Sequence, residues 1–326
     1  MVVKSERIPA PGETVTGGQF FMPAGGKGAN QAVAAARLGA QVTLVANVGD
    51  DVFGRQAIDN FRKEGIRTDH VALDPQSHTG VALILVDRRG ENSISVAPGA
   101  NFTITAAEVD AAAEAIRSSD AVLLQLEIPM AVVEHAAALA AAAGVAVILD
   151  PAPAAPLPDG LLQSIAVLTP NESEAERLTG IPVHDEASAR RAAAALRRAG
   201  ARQVILTRGT EGALVSTAET EELVPSFPVE AVDCTAAGDA FNGGLAAALL
   251  QLHPRLPQTH SKRTDLHFEV TSADTDHLAA RLQRRHPYLV AGDQWSIHNL
   301  REDLRVRGQL LGTFCPFREE FLGLSK

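Results

Sequence analysis

Short apolar runs alternate with helix-forming segments through residues 1–250, and this alternation constrains the fold more than any other feature of the chain. Gln41–Val48, Ala121–Leu126, Val145–Asp150 and Gln203–Thr207 are apolar stretches of strand length, bounded by turns, and are expected to form buried strands. Asn30–Leu38, Gly54–Glu64, Ala106–Ile116, Ala131–Ala143, Glu172–Leu178, Ala187–Arg198 and Asp239–Leu250 carry helical spacing. Strands that are apolar throughout, separated by helices, predict an α/β fold: a mostly parallel sheet covered by helices on both faces. Such sheets bind ligands beyond the carboxyl ends of their strands. Gly18–Met22, Gly80–Val86 and Ser93–Val96 are shorter, hairpin-like and punctuated by Gly, and are expected to form a small separate sheet over the pocket.

Composition removes several functional classes. The formal net charge is −10, which disfavours sequence-independent binding to nucleic acid. There is no uncharged apolar span of about 20 residues, the length a transmembrane helix needs. The first six residues do not read as a signal peptide. Two cysteines, Cys234 and Cys315, cannot build a disulfide framework, so a reducing, cytoplasmic setting is expected. The character of the chain changes near residue 250: residues 251–326 hold six of the ten His, with Trp295 and Tyr288, and little Ala. His277–Arg285 and Asn299–Leu311 have helical spacing there, but no His or Cys pattern of that segment matches a metal site. The reading is therefore one unit at 1–250, with its small sheet at about 8–24 and 79–97, and a second segment at 251–326.

Five local patterns carry chemistry. Gly25-Gly26-Lys27-Gly28-Ala29-Asn30-Gln31 leads into a helix. Its glycines permit close backbone approach to a ligand, while Lys27 and Asn30 add donors; a plain Gly-rich turn before a helix is the other reading. Asp233-Cys234-Thr235-Ala236-Ala237-Gly238-Asp239 sets small residues at a helix start with a carboxylate in the first turn. Backbone N–H groups and the positive helix end there suit an anion, and the carboxylate suits proton abstraction. The other reading is an Asp that merely complements the helix dipole. Thr169-Pro170-Asn171-Glu172-Ser173-Glu174 puts Asn171 and Glu174 on one helix face, suited either to a hydrated Mg²⁺ with phosphate oxygens or simply to a capped helix. Thr207-Arg208-Gly209-Thr210-Glu211-Gly212 is a Gly-punctuated turn after a strand, and a hairpin is its plainer reading. Glu127, just past a buried strand, suits sugar hydroxyls or an ordinary surface position.

Taken together and in this order, over roughly Ile8–Leu250, these motifs resemble the ribokinase-like family of carbohydrate kinases, with Gly25–Gln31 closest to its ribokinase branch. The resemblance implies ATP-dependent phosphorylation of D-ribose to D-ribose 5-phosphate. It implies Asp239 as the base, with Ala237 and Gly238 forming the anion hole. Gly26, Lys27, Gly28, Ala29, Asn30 and Glu127 would contact the sugar. Asn171, Thr207, Arg208, Gly209, Thr210, Glu211, Gly212 and Gly238 would contact ATP. Glu174 would organise Mg²⁺ indirectly, while Asp233 and Thr235 would belong to a K⁺ loop. The small sheet would act as a lid and pair two copies in a homodimer, with no nucleic acid or membrane as partner.

The chain departs from the family pattern at both ends. Family members carry a strand and a Gly-x-x-Asn-x-Asp element ahead of the segment matching Pro9–Thr14, whereas here seven residues without Asp precede Ile8. The expectation is a site lacking one sugar-holding carboxylate, at about 1.5–3 kcal/mol, and a sheet lacking one central strand. After Leu250 the family's adenine and cation elements are not recognisable. A kinase for another small sugar or nucleoside, and an impaired sugar- or nucleotide-binding remnant, therefore stand as alternatives.

Overall fold

In the computed structural model, residues 1–227 and 235–252 are described. In chain order the elements are β1 (Val2–Lys4), β2 (Gln19–Phe21), α1 (Lys27–Arg37), β3 (Thr43–Gly49), α2 (Val52–Lys63), β4 (Arg67–Asp74), β5 (Val81–Val86) and β6 (Asn92–Ala97). There follow α3 (Ala106–Ala111), α4 (Ala113–Ser118), β7 (Ala121–Leu124), α5 (Met130–Ala142), β8 (Ala146–Leu149), β9 (Val167–Leu168), α6 (Glu172–Thr179) and α7 (Glu186–Arg198). The last are β10 (Gln203–Thr207), β11 (Ala213–Ser216), β12 (Glu221–Val224) and α8 (Ala237–Leu252).

The main sheet has the order β12-β11-β10-β9-β8-β7. Strands β7 to β10 run parallel, and β11 and β12 close one edge antiparallel. Both faces are covered, which is why its strands read as unbroken apolar runs. Val147 and Leu149 pack with Val204 and Leu206 against the Ala-rich faces of α5 and α7. Their neighbours Ile148 and Ile205 point the other way, onto Leu245, Ala246 and Leu249 of α8. Alternate side chains of one strand thus feed two cores.

Several sequence expectations shift. The strands at Ala121, Val145 and Gln203 fall within two residues of their expected ends, but β4, β9, β11 and β12 were not foreseen. The helix expected over Ala106–Ile116 is two helices, breaking at the fully buried Ala112 (φ −94°, ψ 5°), and Val109, Ala112 and Ile116 all lie in the core. The helix expected from Asn30 begins three residues earlier, so Lys27 and Gly28 lie in its first turn. The single sheet becomes two: β3 and β4 form a parallel pair of their own, and among the described residues no ladder joins β3 to β7. The small sheet, ordered β2-β1-β5-β6, reaches back to Val2, ahead of the expected boundary at residue 8.

Asp51 clamps the small sheet to the main body. Its carboxylate caps α2 through the Gly54 amide (2.8 Å) and takes both the amide (2.8 Å) and the hydroxyl (2.7 Å) of Thr79, just before β5. Burial opposes ionisation of Asp51, but these hydrogen bonds outweigh it and hold the carboxyl down at about 2.

The contact that matters most for the site is between helices far apart in sequence. A Cβ at Gly243 of α8 would lie 2.6 Å from the Gln31 carbonyl oxygen, 2.6 Å from Ala34 Cβ and 2.9 Å from the Ala35 amide of α1. The two backbones therefore meet directly, and only Gly fits. At Gly244 the nearest atom would be Leu38 Cδ1 at 3.7 Å, an ordinary contact. We expect Gly243→Ala to lose about 1–3 kcal/mol by overpacking. Gly244→Ala should be neutral or gain up to about 1 kcal/mol of helix propensity. Urea denaturation of the two variants checks the contrast, and equal effects would contradict this packing.

Candidate active site

The helix crossing sets the N-termini of α1 and α8 side by side, beyond the carboxyl ends of β7 and β8. Gly26 (φ 97°) turns the chain into α1 and supplies no capping side chain. The cap comes instead from across the fold, since the Lys27 amide donates to Glu127 Oε2 at 2.8 Å. Glu127 is therefore half-buried and capping α1, a structural part that neither reading of the sequence assigned it.

Asp239, only 4% exposed, lies in the first turn of α8. Its Oδ2 accepts from Asn30 Nδ2 at 2.8 Å and its Oδ1 from Gln31 Nε2 at 3.2 Å. The Lys27 ammonium lies 4.0 Å from Asp239 Oδ1 and 3.8 Å from Asp150 Oδ2. Burial works against the Lys27 charge, but the fields of Asp150, Asp239, Glu174 and Glu127 outweigh it and raise its pKa. Asp150 moves the opposite way to an ordinary buried ion pair. Burial pushes its carboxyl up to about 7; Lys27 pulls down, while Glu174 and Asp239 add to the rise.

The start of α8 has the geometry of an anion site. Ala236, the residue before it, adopts the left-handed φ of 60°, where a non-Gly residue costs about 1–2 kcal/mol. Its carbonyl takes the Ala240 amide at 2.9 Å, which leaves the amides of Ala237, Gly238 and Asp239 without intrahelical acceptors. Asn242 braces this turn: its Nδ2 donates to the Gly238 carbonyl at 3.0 Å, and its Oδ1 accepts from the Thr169 hydroxyl at 2.7 Å.

Asn171 and Glu174 cap each other. The Glu174 amide donates to Asn171 Oδ1 at 2.8 Å, and the Asn171 amide donates to Glu174 Oε2 at 2.9 Å. The capped-helix reading therefore holds, and the pair stands beside the second turn motif, since Asn171 bridges to Thr207 and the Thr207 amide donates to the Pro170 carbonyl at 2.9 Å. Thr207–Gly212 is indeed a hairpin turn, between β10 and β11, with Gly209 (φ 53°) and Gly212 (φ 91°) in positive φ. A Cβ at Gly212 would come within 2.0 Å of the Val224 carbonyl oxygen. Arg208 is buried and turned to Glu172 (3.2 Å) and Glu211. Thr235 is exposed ahead of α8. Asp233 and Cys234, and the two helical patterns after residue 276, lie outside the described residues.

Lys27, Asn30, Glu127 and Asp239 thus converge on one locus, and Asn171, Glu174 and Thr207 on a second that the field of Glu174 links to Lys27. Sequence reading missed Asp150 and Gln125, and assigned no role to Gln31. A signal was available for the first two: each follows an apolar run at the carboxyl end of a parallel strand.

The family model described as pfkB family carbohydrate kinase matches residues 1–262. The chain is 47% identical over 250 residues to a ribokinase of Haemophilus influenzae, covering 77% of this chain and 82% of that protein. It is 44% identical over 253 residues to a ribokinase of Bacillus subtilis, with the same two shares. Among solved structures, Arabidopsis thaliana ribokinase complexed with ribose and ATP superposes with a TM-score of 0.70 at 34% identity, covering 77% of this chain and 82% of that one.

The unusual Asp150 carboxyl has a measurable consequence. Because the folded state holds its proton up to about pH 7 and the unfolded chain only to about pH 4, Asp150 contributes a progressive loss of stability as pH rises through that window. Asp150→Asn removes the titration. Its stability relative to the parent chain should rise between pH 4 and 7 by up to about 4 kcal/mol, then level off. Denaturation midpoints of both proteins at pH 4.5, 6, 7 and 8 check this, and a pH-independent difference would contradict it.

Proposed function

The chain belongs to the pfkB family of carbohydrate kinases, and on that premise we propose that it transfers the terminal phosphoryl group of ATP to D-ribose, giving D-ribose 5-phosphate and ADP. The observation that carries the reading is the Asp239 carboxylate held at a helix N-terminus by Asn30, Gln31 and Lys27. Its support from outside the chain is the identity to ribokinases over three quarters of its length.

In this reading Asp239 accepts the proton of the primary hydroxyl as that oxygen attacks the γ-phosphorus in line, and ADP leaves. The amides of Ala237, Gly238 and Asp239, with the positive end of α8, offset the charge on the migrating phosphoryl group. Gly26, Lys27, Gly28, Ala29, Asn30 and Glu127 hold the sugar. Asn171, Gly238 and the hairpin turn Thr207-Arg208-Gly209-Thr210-Glu211-Gly212 receive the nucleotide. Lys27 is well suited to its place: burial works against its charge, but the surrounding carboxylates outweigh it and hold it as an ammonium, 4.0 Å from Asp239 Oδ1.

By resemblance, Glu174 would organise Mg²⁺ indirectly, and the ion when bound would neutralise phosphate charge; in this structure Asn171 and Glu174 cap each other, and among the described residues no cluster of three His, Cys, Asp or Glu stands ready to hold a metal. Asp233 and the Thr235 carbonyl would, by resemblance, belong to a K⁺ loop, and Asp233 lies outside the described residues. Residues 1–250 form the kinase unit, with 251–326 a segment of separate character, and a cytoplasmic setting follows from the substrates. Among the described residues no helix is long and apolar enough to cross a membrane.

The small sheet is read as a lid and as the contact between two copies. Cross-strand register puts Phe20 and Leu83 on one face and Ile94 and Val96 on the other, with Leu83 56% and Val96 62% exposed. Apolar side chains on both faces call for two covers, the active site on one side and a second copy on the other. Sedimentation at micromolar concentration should show a dimer, and Ile94→Asp with Val96→Asp or Phe20→Asp with Leu83→Asp should shift it to monomer. A monomer before substitution would end the dimer reading.

Coupled ADP release across a panel of ribose, 2-deoxyribose, fructose and adenosine tests the main proposal. Ribose should give the highest kcat/KM, whereas sugar-independent signal, or none with any pentose, would refute it. Asp239→Asn should lower kcat by about 10²–10⁴ while ribose affinity, followed by calorimetry, stays within a few-fold. Equal losses in unrelated surface variants would refute the role of Asp239.

A further inference from the structure

Gln31 is the most buried polar side chain at the site, at 1% exposure, and the proposed chemistry gives it no task. Most buried side-chain polar groups bond to backbone or water. Gln31 instead directs its carboxamide wholly at other side chains. The NH₂ group forks, one hydrogen to Asp150 Oδ2 at 2.9 Å and one to Asp239 Oδ1 at 3.2 Å. The Oε1 accepts from Gln125 Nε2 at 2.5 Å. Two carboxylates on one side and an amide donor on the other fix which end of the carboxamide points where. Gln125 itself is lodged against α1, where a Cβ at Gly28 would lie 3.1 Å from its Oε1.

The neighbouring residue completes the geometry. Asn30 and Gln31 are consecutive on α1 and so point about 100° apart around its axis, at 3.6 residues per turn. Asn30 takes one oxygen of Asp239 and Gln31 takes the other, so the carboxylate sits in the wedge between them and its plane is set. The two donors differ in exposure: Asn30 is half-buried and Gln31 fully buried. When a sugar hydroxyl arrives, Asn30 is free to turn toward it and release Oδ2. Gln31, enclosed by Gln125 and Asp150, stays.

We propose that Gln31 is a positioning residue for phosphotransfer, anchoring one oxygen of the Asp239 carboxylate so that the other meets the acceptor hydroxyl, with Gln125 setting the direction of the anchor. This rests on the reading of Asp239 as the base. Gln31 is 1% exposed and its carboxamide is taken up by Asp150, Asp239 and Gln125, so in this proposal it acts on the rate and not on binding. A misplacement of about 1 Å in a reacting group costs up to about a hundredfold in rate.

The test compares kcat and KM for D-ribose, with ATP, in the full chain and its variants. Gln31→Met, close in shape but without donors, should lose about tenfold to a hundredfold in kcat with KM for ribose within about threefold. In an Asp239→Asn background the same substitution should change the residual rate less than twofold, because the group it positions is gone. Gln125→Met, which leaves the donors of Gln31 but frees its direction, should lose about threefold to tenfold in kcat and none in KM; it serves if Gln31→Met does not fold. An unchanged kcat in Gln31→Met or in Gln125→Met, or an equal loss with and without Asp239, would overturn the proposal. Asp239→Asn at parental turnover would instead overturn the base reading beneath it, and absence of turnover in the unsubstituted chain would count against both.

Discussion

Everything at the site follows from the absence of one side chain. At Gly243 the backbone of α8 lies directly on the Gln31 carbonyl and the Ala35 amide of α1. That approach sets two helix N-termini side by side, one bearing Lys27, Asn30 and Gln31, the other bearing Asp239. A methyl group's width of extra separation would take the Gln31 amide beyond hydrogen-bond reach of Asp239, since that bond is already 3.2 Å. Packing density and chemistry are thus one constraint here. The sheet supplies the remaining pieces, because Glu127, Asp150 and Asn171 all follow the carboxyl ends of adjacent parallel strands.

The electrostatics of the locus are asymmetric. One ammonium, on Lys27, answers to four carboxylates. They do not share it equally. Asp150, 3.8 Å from the Lys27 ammonium, still tends toward its neutral form, because burial outweighs the attraction of Lys27. A neutral Asp150 leaves the Lys27 ammonium facing Asp239 Oδ1 at 4.0 Å.

Much of the architecture was legible in the sequence, for a physical reason. Strands buried on both faces have no polar positions to interrupt them, so β7, β8 and β10 stand out as apolar runs. Elements held by tertiary context were harder. The two residues of β9 carry no periodicity, and β4 is half exposed. The break at Ala112 is invisible because Ala is a good helix former and nothing in the local sequence interrupts the helical spacing. At the site, Lys27, Asn30 and Asp239 sit in local patterns with a recognisable purpose, and the structure does bring them together. Gln31 lies inside the Gly25–Gln31 motif and Gln125 and Asp150 follow apolar runs, but nothing local says what they touch. Their significance lies in contacts between residues about 100 positions apart, which no window along the chain contains.

The bond from Gln31 to Asp239 spans 208 residues of chain. Closing so long a loop costs little at equilibrium, since the entropy grows only with the logarithm of length, but non-local contacts form late in folding. Strands β7 to β10 all precede α8 and pair among themselves. A nascent chain leaving the ribosome therefore has its main parallel ladder available before residue 239 has been synthesised. A chain terminated before α8 would lose Asp239 together with Leu245, Ala246 and Leu249, which cover Ile148 and Ile205 of the main sheet, so the reactive carboxylate and half of the sheet's cover stand or fall together.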